Sequence, residues 1–129
     1  MEQTTDVSPQ TMIESEMQRI ISLGNYELAH LFSDEGLPLA ETKDEESIER
    51  DQLIEISVYF QDIKRIADMM GGMSRLKEIV MEGDNARKIV FRFFEAFDQT
   101  VVLVAVVPPR KSYRKLTNQL VRLIKTVST

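Results

Sequence analysis

The chain has few of the side chains that catalysis or metal binding requires. His30 is the only histidine among 129 residues, and there is no cysteine. A zinc site needs three or four histidine, cysteine or carboxylate ligands, and thiol catalysis needs a cysteine. A single histidine inside a predicted strand is typical of a packed structural residue. We therefore expect no metal, no cofactor and no catalytic residue, and we expect that the chain is not an enzyme.

Two short motifs resemble ligand sites, but each lacks a necessary part. Asp44-Glu45-Glu46 has neither the ligand spacing nor the central glycine of a calcium loop. Gly71-Gly72 ends a predicted helix, and no lysine followed by serine or threonine makes it a phosphate-binding loop. The methionines nearby are typical of adaptable apolar contacts; they are Met69, Met70, Met73 and Met81.

Composition predicts an ordinary globular domain. The chain is 43% hydrophobic and 29% charged, and no apolar run approaches the ~20 residues of a membrane span. We expect one domain over residues 1–129 with a polar arm at residues 1–8, a cytoplasmic location and no membrane insertion.

Charge is distributed unevenly along the chain. The net charge is −5, yet the residues after Asp98 include six basic and no acidic side chains; the six are Arg110, Lys111, Arg114, Lys115, Arg122 and Lys125. A basic segment can bind nucleic acid or anionic lipid, or it can pair with acidic residues of its own molecule. We expect the second, with Glu14 and Glu16 of the first helix as partners, and no binding of nucleic acid.

The elements follow from hydrophobic periodicity. Val101–Val107 is an unbroken apolar run before two prolines, which predicts a strand buried on both faces. The remaining pattern predicts the order α-β-β-α-β-β-β-α. The predicted ranges are helices over 9–23, 53–70 and 113–127, the last capped by Ser112, and strands over 26–32, 37–40, 76–82 and 88–97.

This order predicts an α+β fold, a three-layer α/β/α sandwich with about five mostly antiparallel strands. Five strands span about 20 Å and each helix covers about 10 Å, so one face needs two helices. The first and last helices can share a face, which leaves the middle helix alone on the other. Part of its wide apolar stripe would then be exposed, which predicts that a second copy of the chain covers it. The expected dimer-interface residues are Leu53, Ile56, Phe60, Ile63, Ala67 and Met70.

The chain resembles the roadblock/LC7 family, small dimeric proteins that include dynein light chains and bacterial gliding-motility GTPase regulators. The resemblance covers about residues 9–127. It lies in the Leu31–Ala40 hairpin with its Asp-x-Gly turn and in the Leu76–Gly83 strand with its Glu82-Gly83-Asp84 turn. It also lies in the valine-rich strand before the last helix. The loop over residues 41–51 departs from the shortest family members.

The resemblance implies a profilin-like architecture and a homodimer or heterodimer whose central strands and middle helices join into one sheet. It also implies a non-enzymatic scaffold that binds a Ras-like small GTPase and regulates its GTP hydrolysis. Arg87 and Arg110 are the loop arginines that could reach a partner's phosphates. Alternatives are a dimeric adaptor in a motor or kinase system, or a small-molecule sensor of the PAS type. The expected partner-binding residues are Ser57, Tyr59, Gln61, Lys64, Arg65 and Asp68.

Overall fold

The computed structural model describes residues 7–42, 52, 55–70 and 75–129. The helices are α1 (Pro9–Gly24), α2 (Phe60–Met69) and α3 (Arg114–Val127). The strands are β1 (Leu28–Ser33), β2 (Pro38–Glu41), β3 (Glu78–Glu82), β4 (Lys88–Ala96) and β5 (Gln99–Val107). The predicted order of elements is confirmed, with strand ends that differ by at most two residues.

The five strands form one antiparallel sheet in the order β2-β1-β5-β4-β3. Strand β5 lies in the centre, and all seven side chains from Val101 to Val107 are buried, as the apolar run predicts. Strands β4 and β5 join through Phe97 and Asp98, both with positive φ, which is the backbone of a two-residue hairpin turn. The two free edges of the sheet are β2, which contains Pro38, and β3.

The sheet separates two apolar cores, so the architecture is the expected three-layer sandwich. One core lies beneath α1 and α3 and contains Ile13, Met17, Leu103, Leu120 and Ile124. The other lies beneath α2 and is rich in phenylalanine. The first and last helices therefore share a face, and α2 stands on the opposite face.

Two local predictions about helix ends need correction. The last helix begins at Arg114 with Tyr113 at its cap, and Ser112 does not cap it. Instead the carbonyl of Ser112 accepts a hydrogen bond of 2.7 Å from the Tyr26 hydroxyl. The predicted middle helix is also interrupted, because residues 55–57 are helical but Val58 and Tyr59 form a turn before α2. By contrast, Ser8 caps α1 as expected, accepting from the Thr11 N–H at 3.2 Å.

Candidate protein-binding surface

Helix α2 is fixed to the sheet by an aromatic cluster. Phe60 is fully buried and meets Phe32, Phe91 and Phe93 edge to face, with ring centroids 5.8, 6.0 and 6.1 Å away. Edge-to-face pairs at such distances stabilise by about 0.5–1.5 kcal/mol each beyond the burial of their area. The first residue of α2 therefore holds the helix on the sheet of its own chain.

This packing corrects part of the expected dimer interface. Phe60 and Ala67 are buried within their own chain, so neither offers a surface to a partner. Ile56 and Ile63 are half-buried, and Met70 is exposed. Leu53 lies outside the described residues. A three-four stripe identifies the packed side of a helix, but it does not distinguish the chain's own sheet from a second molecule.

The turn between β1 and β2 contacts the start of α2 and the residues just before it. Asp34 accepts a hydrogen bond from Gln61 at its carbonyl (3.3 Å) and from the Lys64 ammonium at its carboxylate (3.1 Å). Ser57 is 2% exposed and donates to the Gly36 carbonyl at 3.3 Å. The expectation that Ser57 faces outward is therefore wrong, and Gln61 and Lys64 are partly engaged with the hairpin.

Gly36 is required at this contact. Its φ is +92°, and a Cβ there would lie 3.0 Å from Ser57 Oγ and 3.2 Å from Ser57 O. A side chain would combine a left-handed backbone with close contact to another main chain. The Asp-x-Gly turn thus positions the start of the α2 segment against the hairpin.

The outer side of α2 is apolar to an unusual degree for a helix in contact with water. Ile66 is 55% exposed and Met69 is 74% exposed, and Tyr59 and Met70 are also more than half exposed. Arg65 lies among them and pairs with Asp62 at 2.9 Å across one helical turn, while Asp68 is exposed. Of the expected partner-binding residues, Tyr59, Arg65 and Asp68 are therefore available to a partner.

The β3 edge continues this apolar surface. Val80 and Met81 are exposed, and among the described residues β3 has a strand partner, β4, on one side only. Because side chains alternate along a strand, Met81 shares the α2 side of the sheet with Ile79, which packs against the phenylalanine core. We define the apolar surface as Tyr59, Ile66, Met69, Met70 and Met81; Val80 lies on the opposite side of the sheet, with its pairing partner Val90. The sequence analysis named Tyr59, Met69, Met70 and Met81 separately, but it could not join them into one surface, because that depends on which strand lies at the edge.

An open groove of about 360 Å³ lies next to the C-terminal half of α2. Leu76, Phe93 and Phe94 contribute apolar walls, and the basic residues Lys64 and Lys77 stand among its lining side chains. It lies between α2 and the residues that lead into β3. The groove therefore adds charge beside the apolar surface.

The two loop arginines differ in their freedom. Arg87 donates to the Glu27 carboxylate through Nε (3.1 Å) and Nη2 (2.5 Å), which holds its guanidinium against the chain. Arg110 is exposed in a turn with φ +66°. Arg110 is therefore the more accessible of the two.

His30 occupies a structural position. It is fully buried in β1, its ring meets Phe32 edge to face at 5.1 Å, and Nε2 lies 3.9 Å from the Glu41 carboxylate. Within the described part of the chain, no group of three histidine, cysteine or carboxylate residues could hold a metal ion. Over the same residues, no helix is long and apolar enough to cross a membrane.

The basic residues of α3 do not pair with α1. Glu16 is bound by Arg19 of its own helix at 2.6 Å, and Glu14 accepts from the Glu41 N–H. Arg114 instead reaches Glu78 of β3, with both guanidinium nitrogens 3.2 Å from the carboxylate. The expected pairing of the basic segment with Glu14 and Glu16 is therefore wrong.

Glu78 is the centre of the ionic network at the β3 edge. Its carboxylate also accepts from the Tyr113 hydroxyl at 2.7 Å and lies 3.7 Å from Arg92 Nε. Burial alone would raise the pKa of Glu78, but the hydrogen bonds from Tyr113 and Arg114 outweigh burial and lower it. The network fixes the start of α3 to the edge strand.

Solved structures of known proteins match this architecture over most of the chain. The gliding protein MglB from Thermus thermophilus has a TM-score of 0.71 at 13% identity, covering 97% of this chain and 94% of that one. MglB from Myxococcus xanthus has a TM-score of 0.69 at 13% identity, with coverages of 92% and 93%. A roadblock/LC7 domain from Streptomyces avermitilis has a TM-score of 0.65 at 14% identity, with coverages of 88% and 92%.

No family model and no curated protein matches the sequence. The likeness therefore lies in the arrangement of the elements rather than in shared residues. The TM-scores of 0.71, 0.69 and 0.65 show that the chain and these structures share their overall arrangement of elements. The chain has the roadblock/LC7 fold.

Proposed function

We propose that the chain is a non-enzymatic, dimeric scaffold that binds a Ras-like small GTPase and regulates its GTP hydrolysis. The single observation that carries this proposal is the apolar surface on α2 and β3, combined with the roadblock/LC7 fold. Exposed apolar patches of this kind mark protein interfaces. The solved structures with the same fold include MglB in a tetrameric arrangement.

Two copies join through β3 and α2 in this proposal. The β2 edge is four residues long and contains Pro38, which cannot donate a ladder hydrogen bond. The β3 edge has five residues, no proline, and exposed Val80 and Met81. Antiparallel pairing of two β3 strands would bring Ile66 and Met69 of each α2 toward the two-fold axis and remove them from water.

The GTPase binds the outward side of the paired helices. Tyr59 and Arg65 are the side chains that we assign to this contact, because aromatic and arginine residues contribute disproportionately to protein interfaces. Asp62, Asp68 and the basic groove residues give the same surface a polar rim. This mixture suits a reversible partner.

A Ras-like GTPase from the source cell is first captured on the immobilised chain and then purified. The experiment measures its binding to the chain in the GTP-analogue form and in the GDP form. We expect one nucleotide state to bind more tightly, because switch loops differ between the states. Tyr59→Ala with Arg65→Glu should weaken binding by about tenfold or more. The control Leu37→Ala changes an exposed residue of the β1–β2 turn and should bind normally.

Binding that is insensitive to nucleotide state would contradict the proposal. An adaptor of a motor or kinase complex would then be favoured, because the same apolar surface can serve any protein partner. The sensor alternative has less support, since apolar side chains fill the two described cores.

A further inference from the structure

The layer formed by α1 and α3 carries a charge opposite to the rest of the chain. Residues 7–25 and 108–129 contain seven basic and two acidic side chains, a net charge of +5. The whole chain carries −5, so the remaining residues carry −10. At physiological salt the screening length is about 8 Å, so acidic residues beyond the sheet contribute little at the outer side of this layer.

Four basic side chains are exposed in this layer, and among the residues that the structure describes none of them has a carboxylate partner. We call them the basic face: Arg110, Lys111, Lys115 and Arg122. Lys115 and Arg122 are seven residues apart on α3, so they lie on one side of the helix about 10 Å from each other.

An exposed leucine lies beside the basic face. Leu23 is 62% exposed and lies one turn after Arg19, whose guanidinium donates to Gln119 of α3 at 3.0 Å. The same end of α1 is fixed to the loop before α3 by the bond from Tyr26 to Ser112. An apolar side chain is thus held among cations at one end of the layer.

We infer that the basic face and Leu23 form a peripheral binding surface for anionic phospholipid headgroups. Lys115 and Arg122 project from α3, and Arg110 and Lys111 are exposed in the segment just before it, so the cations meet a surface rather than line a cleft. Leu23 can enter the apolar boundary of the headgroup layer while the cations remain among phosphates and carboxylates. The acidic remainder of the chain orients this layer toward the membrane.

Lipid explains the surface better than nucleic acid does. Specific or single-stranded nucleic-acid binding uses side chains that enter a groove or aromatic rings that stack on bases. On the described basic face no aromatic side chain is exposed, and Tyr113 beside it is bound to Glu78. The inference does not depend on a GTPase partner. In the proposed dimer, both layers would lie on the same side of the joined sheet, which would strengthen binding.

The test is co-sedimentation of the full chain with vesicles of phosphatidylcholine alone and with vesicles that also contain phosphatidylserine. We expect binding to the anionic vesicles only, lost at about 0.5 M salt because the Debye length then becomes shorter than 5 Å. Each basic residue near such a surface contributes about fivefold to partitioning. The variant Lys111→Glu/Lys115→Glu/Arg122→Glu should therefore bind anionic vesicles at least roughly 100-fold more weakly than the unaltered chain.

The matched control reverses three exposed basic residues elsewhere, as Arg65→Glu/Arg75→Glu/Lys77→Glu. It changes the net charge by the same amount and should retain most of the binding. Leu23→Ser should weaken binding several-fold without changing its salt dependence. Equal loss in the two triple variants would overturn the inference, as would equal binding to both kinds of vesicle. Tighter binding to duplex DNA than to anionic vesicles would assign the surface to nucleic acid instead.

Discussion

Phe60→Ala tests whether α2 is anchored to its own sheet. The side chain is fully buried and makes three edge-to-face contacts, with Phe32, Phe91 and Phe93. Removing a buried phenylalanine costs about 3–5 kcal/mol through lost burial and the cavity that remains. The three aromatic contacts place the expected loss near 4 kcal/mol, against a total stability of about 5–15 kcal/mol for a domain.

The assay is urea unfolding followed by far-ultraviolet circular dichroism at one fixed protein concentration, because self-association makes apparent stability depend on concentration. Leu37→Ala serves as the control, since Leu37 is exposed and should change stability by less than about 0.5 kcal/mol. A cost below about 1 kcal/mol for Phe60→Ala would refute the anchoring role. If the Phe60→Ala variant were a stable, folded monomer, Phe60 would instead lie in a seam between molecules.

Two further predictions concern the turn and the ionic network. Gly36→Ala should destabilise the fold by roughly 1–2 kcal/mol in the same urea assay, because the φ of Gly36 is left-handed and its Cβ would press on Ser57; an unchanged midpoint would contradict this. The lowered pKa of Glu78 stabilises the fold above the ordinary value of 4.5, and this contribution should be lost as pH falls below that value through the folded-state pKa. Glu78→Gln should make the free energy of unfolding depend less on pH in this range. If the variant lost stability with falling pH just as the unaltered chain does, the bonds from Tyr113 and Arg114 would not stabilise the ionised form.

The sequence was sufficient for the layer order because each element has a strong local signal. The unbroken run in β5 identified the central strand, and the three-four stripes identified the packed sides of the helices. The Ser8-Pro9 pair identified the start of α1 because a cap depends only on neighbouring residues. Ser112 offered the same local signal, but its carbonyl is held by Tyr26 from a distant part of the chain, and α3 begins later.

Predictions that depend on distant neighbours were less successful. Phe60 belongs to the apolar stripe, yet only the tertiary structure shows that its ring is used within the chain. The pairing of Arg114 with Glu78 depends on β3 lying at the sheet edge beside the start of α3, which no local pattern reveals. The exposed side of α2 was recognised only in part, because Ser57 faces the Gly36 turn rather than solvent.

Light scattering of the purified chain at micromolar concentration tests whether two copies pair through α2 and β3. We expect twice the monomer mass, and we expect Ile66→Lys/Met69→Lys to be a folded monomer with an unchanged circular dichroism spectrum. Both side chains are more than half exposed in the single chain, so lysine there does not disturb the core. A monomer mass for the unaltered chain would contradict the proposed dimer, as would a double variant that remains dimeric.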